Sequence, residues 1–120
     1  MGIARIVEVL DRSTKGVIIS QTTGAVAIAT TIAPGFKWAL KEIRVHLSAA
    51  GGAGDLTATI DSGTAAAYDI VILTQDMTSV VDLISQLDTP MIFGEDDELD
   101  IAWANANSRT YGLEVIYTRL

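Results

Sequence analysis

Residues 93–117 read FGEDDELDIAWANANSRTYGLEVIY. Leu99, Ile101 and Trp103 alternate with Asp100 and Ala102. After the polar stretch NANSRT at 105–110, Tyr111, Leu113, Val115 and Tyr117 fall on every second position. A period of two is the signature of a strand with one face in a core. The expectation is a pair of strands at 98–104 and 111–119, joined through NANSRT as a terminal β-hairpin. The same stretch is rich in oxygen ligands: Glu95, Asp96, Asp97, Glu98 and Asp100, followed by Asn105 and Asn107. Calcium takes roughly six to eight such oxygens. Against a metal site, the EF-hand spacing is absent, and neighbouring carboxylates on an extended chain point to opposite sides. The acids are therefore read as a solvated turn over Gly94–Asp97, with Asp96, Asp97 and Asp100 as the residual calcium candidates. No cofactor is expected.

Working outward, the same alternation recurs. In WALKEIRVHLS (38–48), Ile43, Val45 and Leu47 face one way and Glu42, Arg44, His46 and Ser48 the other. DLTATID (55–61) turns Leu56, Ala58 and Ile60 inward. YDIVILT (68–74) is apolar on both faces, as for a strand central to a sandwich. AVAIATTIA (25–33) reads as a strand from its Thr and Ile content. Val80, Leu83, Ile84 and Leu87 have helical spacing, but Pro90 and the PMIF that follows favour an extended segment. Ile3, Ile6, Val7 and Leu10 have the same spacing with β-branched residues, which leaves 3–10 open between helix and strand. Turn-forming AAGGAG (49–54) and SGTAAA (62–67) divide the strands. Together these give an all-β fold, an antiparallel β-sandwich, jelly-roll-like, of about eight strands. A single domain over 1–120 is expected, with 1–24 read as part of it or as an N-terminal arm or peripheral segment.

Composition narrows the function. The 120 residues include no cysteine and one histidine, which removes disulfides and ordinary zinc and copper sites. The net charge of −7 offers no basic patch for nucleic acid. No apolar run is long enough to span a membrane, and Glu8 and Asp11 stand where a leader would be apolar. His46, the one residue that a Ser–His–Asp mechanism could use, lies mid-strand without a nucleophile motif. The glycines of 49–54 lack the lysine and helix of a phosphate loop. No enzyme is expected. The apolar fraction is 49%, with a mean hydropathy of +0.37. No charged residue occurs between Lys15 and Lys37. Bare, uncharged strands invite pairing. Either the domain itself covers this stretch or a neighbouring subunit or partner surface does, with Val17, Ile18, Ile19, Val26, Ile28 and Ile32 as the interface candidates.

The order WALKEIRVHLS, DLTATIDSG, YDIVILTQDM, GEDDELDIAWANANSRTYGLEVIY, over roughly 25–120, resembles the small all-β virion proteins of tailed bacteriophages. These are decoration or cement proteins and related head- or tail-associated jelly-roll modules. The resemblance implies a structural role on the virion after synthesis in the host cytoplasm. It also implies a homo-oligomer, a trimer, that ties neighbouring copies of the major capsid protein or another virion protein together. The family has no catalytic residues to carry over. A carbohydrate- or receptor-binding module of a tail or fibre is the alternative, with Trp103, Tyr111, Asn105 and Asp100 as its candidate contacts.

Overall fold

The computed structural model describes residues 16–120. The question of helix or strand at 3–10 lies outside the described residues, as does 1–15 of the proposed arm. The rest of that arm is a strand of the sandwich. In chain order the strands are β1 (Val17–Gly24), β2 (Ile28–Ile32), β3 (Trp38–Leu47), β4 (Asp55–Asp61), β5 (Ile70–Asp76), β6 (Asp82–Phe93), β7 (Glu98–Trp103) and β8 (Tyr111–Arg119). A single turn of 3-10 helix, Ala66–Tyr68, precedes β5. The fold is the expected all-β sandwich of eight antiparallel strands. One sheet has the order β1-β8-β3-β6 and the other β2-β7-β4-β5. This is the interleaved double Greek key of a jelly roll.

Alternation explains the core. Ile43, Val45 and Leu47 of β3, Leu56 and Ala58 of β4, Leu99, Ile101 and Trp103 of β7, and Leu113 and Val115 of β8 are all buried between the sheets. In β3 the inward set changes parity. Trp38 and Leu40 are buried together with odd-numbered Ile43, Val45 and Leu47. A bulge at Lys41 accounts for this, since both ladders of β3 shift register between Leu40 and Glu42. Trp38 anchors the end of the sandwich, stacked on Phe93 with centroids 4.1 Å apart and edge-on to Tyr117 at 5.1 Å.

The structure corrects two expectations. First, 98–104 and 111–119 are strands but not a hairpin. β7 pairs with β2 and β4, whereas β8 pairs with β1 and β3, so residues 104–110 arch from one sheet to the other. Second, the 68–74 segment is not central. β5 is an edge strand that pairs with β4 alone, and Ile70 and Val71 are each 56% exposed. The extended reading of 80–87 holds from Asp82 on, and with PMIF it forms one long strand, β6. Pro90 is tolerated there because β6 is an edge. Its pairing jumps from Gln86 to Met91, which leaves Leu87–Pro90 opposite Lys41 alone.

Four arches between the sheets meet at one end and are tied by hydrogen bonds. Leu47 N–H donates to Val81 O, Gly51 N–H to Val80 O, Ser79 N–H to Gly51 O and Ser48 N–H to Thr110 O. Gly51 packs so close to Met77 O that a Cβ there would overlap the carbonyl. In the β5–β6 arch, Asp76 Oδ1 accepts from Thr78 N–H (3.0 Å) and Thr78 Oγ1–H (2.7 Å). The backbone bond first, and then the hydroxyl, hold this carboxyl below its ordinary value of 3.8. A depressed acid stabilises the folded state above its unfolded pKa, and that contribution is lost as pH falls through the lower folded value. The arch is therefore expected to loosen only under strong acid. Amide exchange at 77–81 across that range checks this, and Asp76→Asn should remove the acid-dependent component.

Candidate functional site

The acidic run is a structural turn. Asp97 Oδ2 accepts from Gly94 N–H (2.8 Å), closing the β6–β7 connection on itself. Its Oδ1 accepts from Gly63 N–H (2.9 Å), binding this turn to the β4–β5 loop. Asp100 Oδ1 accepts from Thr31 Oγ1–H (2.7 Å), a cross-strand pair between β7 and β2. Asp96 packs against Gly63. The carboxylates of Asp97 and Asp100 are thus taken up by hydrogen bonds to different parts of the fold. Among the described residues, no three His, Asp or Glu side chains gather where a metal ion could sit.

Asn105 is 3% exposed with φ +50. Its Nδ2 donates to Val26 O and Arg109 O, and its Oδ1 accepts from Arg109 N–H, each at 2.9 Å. It stitches the β7–β8 arch to the β1–β2 arch and has no free oxygen for a ligand. Asn107 packs on Gly52 at the same end. Trp103 and Tyr111, the aromatic contacts expected for a sugar, are 2% and 5% exposed. They belong to the core and present no ring face to solvent.

The uncharged stretch divides in two. Ile28 and Ile32 point into the core, and Ile18 packs half-buried against it. Val17 (37% exposed), Ile19 (52%) and Val26 (75%) lie on the surface. β1 is an outer strand of its sheet and pairs with β8 over its full length without a bulge.

His46 finds a partner that strand reading did not provide. It lies directly opposite Asp82 of β6, with Nδ1 at 2.5 Å from Asp82 Oδ1. A carboxylate only accepts, so the proton of this bond is on Nδ1. His–Asp is two-thirds of a hydrolytic triad, and the third member would be a hydroxyl. Thr23 shares the row with His46, but its Oγ1–H donates to Tyr111 O (2.8 Å), and Ser48 Oγ accepts from Thr110 N–H (3.1 Å).

The His46–Asp82 pair borders a depression of about 730 Å3 that spans all four strands of the β1-β8-β3-β6 sheet. Register places Thr23, Gly112, His46 and Asp82 in one row across the outer face, and Gln21, Glu114, Arg44 and Ile84 in the next. Gly112 is the floor. Its φ is not positive, and a Cβ there would meet nothing within 4 Å. Neither backbone conformation nor close packing requires a glycine at this point in a central strand, where it costs about 0.5–1 kcal/mol relative to alanine. The rim is held in place by its own pairs. Gln21 Nε2–H donates to Glu114 Oε2 (2.8 Å), and Arg44 Nε–H donates to Glu42 Oε2 (2.6 Å). Strand-by-strand reading misses this site because its residues come from four separate segments. The one signal within the sequence is a glycine inside the otherwise regular strand YGLEVIY.

Among the described residues, the fold and its surfaces define an all-β jelly-roll domain with a long uncharged outer strand, β1, and a depression with a polar rim. No protein-family model matches the sequence, and no curated protein is significantly similar to it.

Proposed function

We propose that the protein is a non-enzymatic structural component of a virion, a homo-oligomeric jelly roll that decorates a phage head. One observation carries the reading: β1 is an unguarded edge. Among the described residues the sandwich has four sheet edges, and three of them have features that deter pairing. β6 carries Asp82, Asp88, Pro90 and a break in register. β5 ends in Asp76 and is itself bulged at Ile72, which the register with β4 skips between Val71 and Leu73. β2 is only 5 residues long. β1 has 8 residues, no charge, no proline and no bulge, with Val17 and Ile19 exposed on its outer face. A neighbouring copy is the occupant that suits it, because self-assembly presents the same edge at a fixed stoichiometry. A trimer forms where β1 meets a different surface of the next copy, since such head-to-tail contacts close into a ring. Each contact is modest, at roughly 25 cal/mol per Å2 of apolar area, and is multiplied over many copies on a lattice.

Light scattering during size-exclusion chromatography should return a trimer at micromolar concentration. Ile19→Lys should shift it to monomer while the melting temperature stays within a few degrees. A clean wild-type monomer sinks the reading. The depression on the same sheet supports a second reading, a carbohydrate- or receptor-binding module of a phage tail or fibre.

A further inference from the structure

We infer that the depression over Gly112 is a binding site for a neutral polyhydroxylated ligand, a saccharide. The inference rests on the second reading above and is independent of assembly through β1. It relocates the contacts from Trp103, Tyr111 and Asn105, which are buried, to Gln21, Arg44, His46, Asp82 and Glu114, which line the depression.

Three observations lead to this ligand class. The first is the floor. Every neighbour of Gly112 in its row and the next carries a side chain, so the missing Cβ makes the hollow. A residue that weakens its strand and relieves no clash is accounted for by the space it leaves.

The second is the rim. Each polar side chain is oriented by one partner and keeps a second polar atom free. Glu114 gives Oε2 to Gln21 and keeps Oε1, which lies 4.0 Å from Arg44 Nη1. Arg44 uses Nε and Nη2 on Glu42. His46 uses Nδ1 on Asp82, leaving Nε2 and the second carboxylate oxygen. The free atoms are therefore both donors and acceptors, held in fixed directions. A sugar hydroxyl is itself both donor and acceptor, and such a mixed set matches it.

The third is charge. An anion such as phosphate would face Asp82 and Glu114, and an ammonium group would face Arg44 and the His46 edge. Neither finds a surface of one opposite sign. Ile84, 66% exposed at the wall, offers an apolar patch to the C–H face of a ring.

The test uses the 15N-labelled full chain, titrated to millimolar concentration with glucose, galactose, mannose, rhamnose and N-acetylglucosamine. Inorganic phosphate and lysine ethyl ester serve as charged controls, and a glycan array is run in parallel. The expected result is that at least one sugar shifts the amides of 21–23, 44–46, 82–84 and 112–114, and that the controls do not. Gly112→Val fills the floor and should abolish the shifts while the fold melts no lower than wild type. Should that variant not fold, Glu114→Ala removes one acceptor and should weaken binding by about tenfold or more. Shifts that survive both substitutions overturn the inference. So does tighter binding of phosphate or the lysine ester. Array binding with shifts elsewhere on the chain leaves the module reading standing and removes this site. Silence from every sugar and every glycan removes both.

Discussion

Trp38→Ala is expected to lower the free energy of unfolding by about 4 kcal/mol, the range for emptying a large aromatic site in a core. Trp38 is fully buried, and its ring is the centre of a three-ring cluster with Phe93 and Tyr117. It also stands at the start of β3, paired with Phe93 on one side and Arg119 on the other. Its removal leaves a cavity between two ladders that a bulge three residues later prevents from sliding closed. Urea unfolding followed by far-UV circular dichroism measures the loss. Trp38→Phe should cost far less, about 1 kcal/mol. The indole Nε1–H of Trp38 is buried without an acceptor, so phenylalanine loses volume but removes an unpaired donor. Equal losses for the two substitutions would show that the cluster is not packed as described.

Asn105→Ala should cost about 3 kcal/mol, through a different mechanism. Three backbone groups, Val26 C=O, Arg109 C=O and Arg109 N–H, lose their partner at a part-buried junction of two arches, around an Asn105 that is itself 3% exposed. Stranded buried polar groups cost about 1–3 kcal/mol each when nothing replaces the bond. Alanine is also strained at φ +50, which asparagine tolerates. Asn105→Gly separates the two effects: it relieves the backbone by about 1 kcal/mol and restores no hydrogen bond. Amide exchange in the β1–β2 arch should rise in both variants, because Val26 lies 79 positions away and is held by this one side chain.

Much of the sandwich was legible because alternation is a local property. The strands at 55–61 and 111–119 needed nothing beyond their own residues. Pairing was not local. ELDIAWA and YGLEVIY each have one apolar face, and that pattern is satisfied equally by a hairpin within one sheet and by an arch between two. The same limit misplaced YDIVILT, whose apolar residues on both faces suit a buried strand but lie on an outer edge. The acids at 95–100 were legible as a turn, yet the Asp97 contact to Gly63 depends on a loop over thirty residues earlier. For Asn105, polarity suggested a surface ligand. Its burial follows only from the convergence of two arches. The depression on the β1-β8-β3-β6 sheet has no sequence motif, because its lining comes from four strands and its floor is an absent side chain.

The position of β8 has a consequence for the order in which the chain assembles on the ribosome. β8 lies between β1 and β3, and β1 has no other neighbour among the described strands. The β2-β7-β4-β5 sheet has all its members once residue 103 has been made. The other sheet then holds only the β3–β6 pair, and β1, translated first, still waits. Gln21 and its partner Glu114 are 93 positions apart. During synthesis at roughly 5–20 residues per second, the uncharged strand is therefore left without its partner for seconds. Those seconds are the period in which a nascent chain is most exposed to pairing with the wrong neighbour on a crowded polysome, and the arrival of β8 is what ends it.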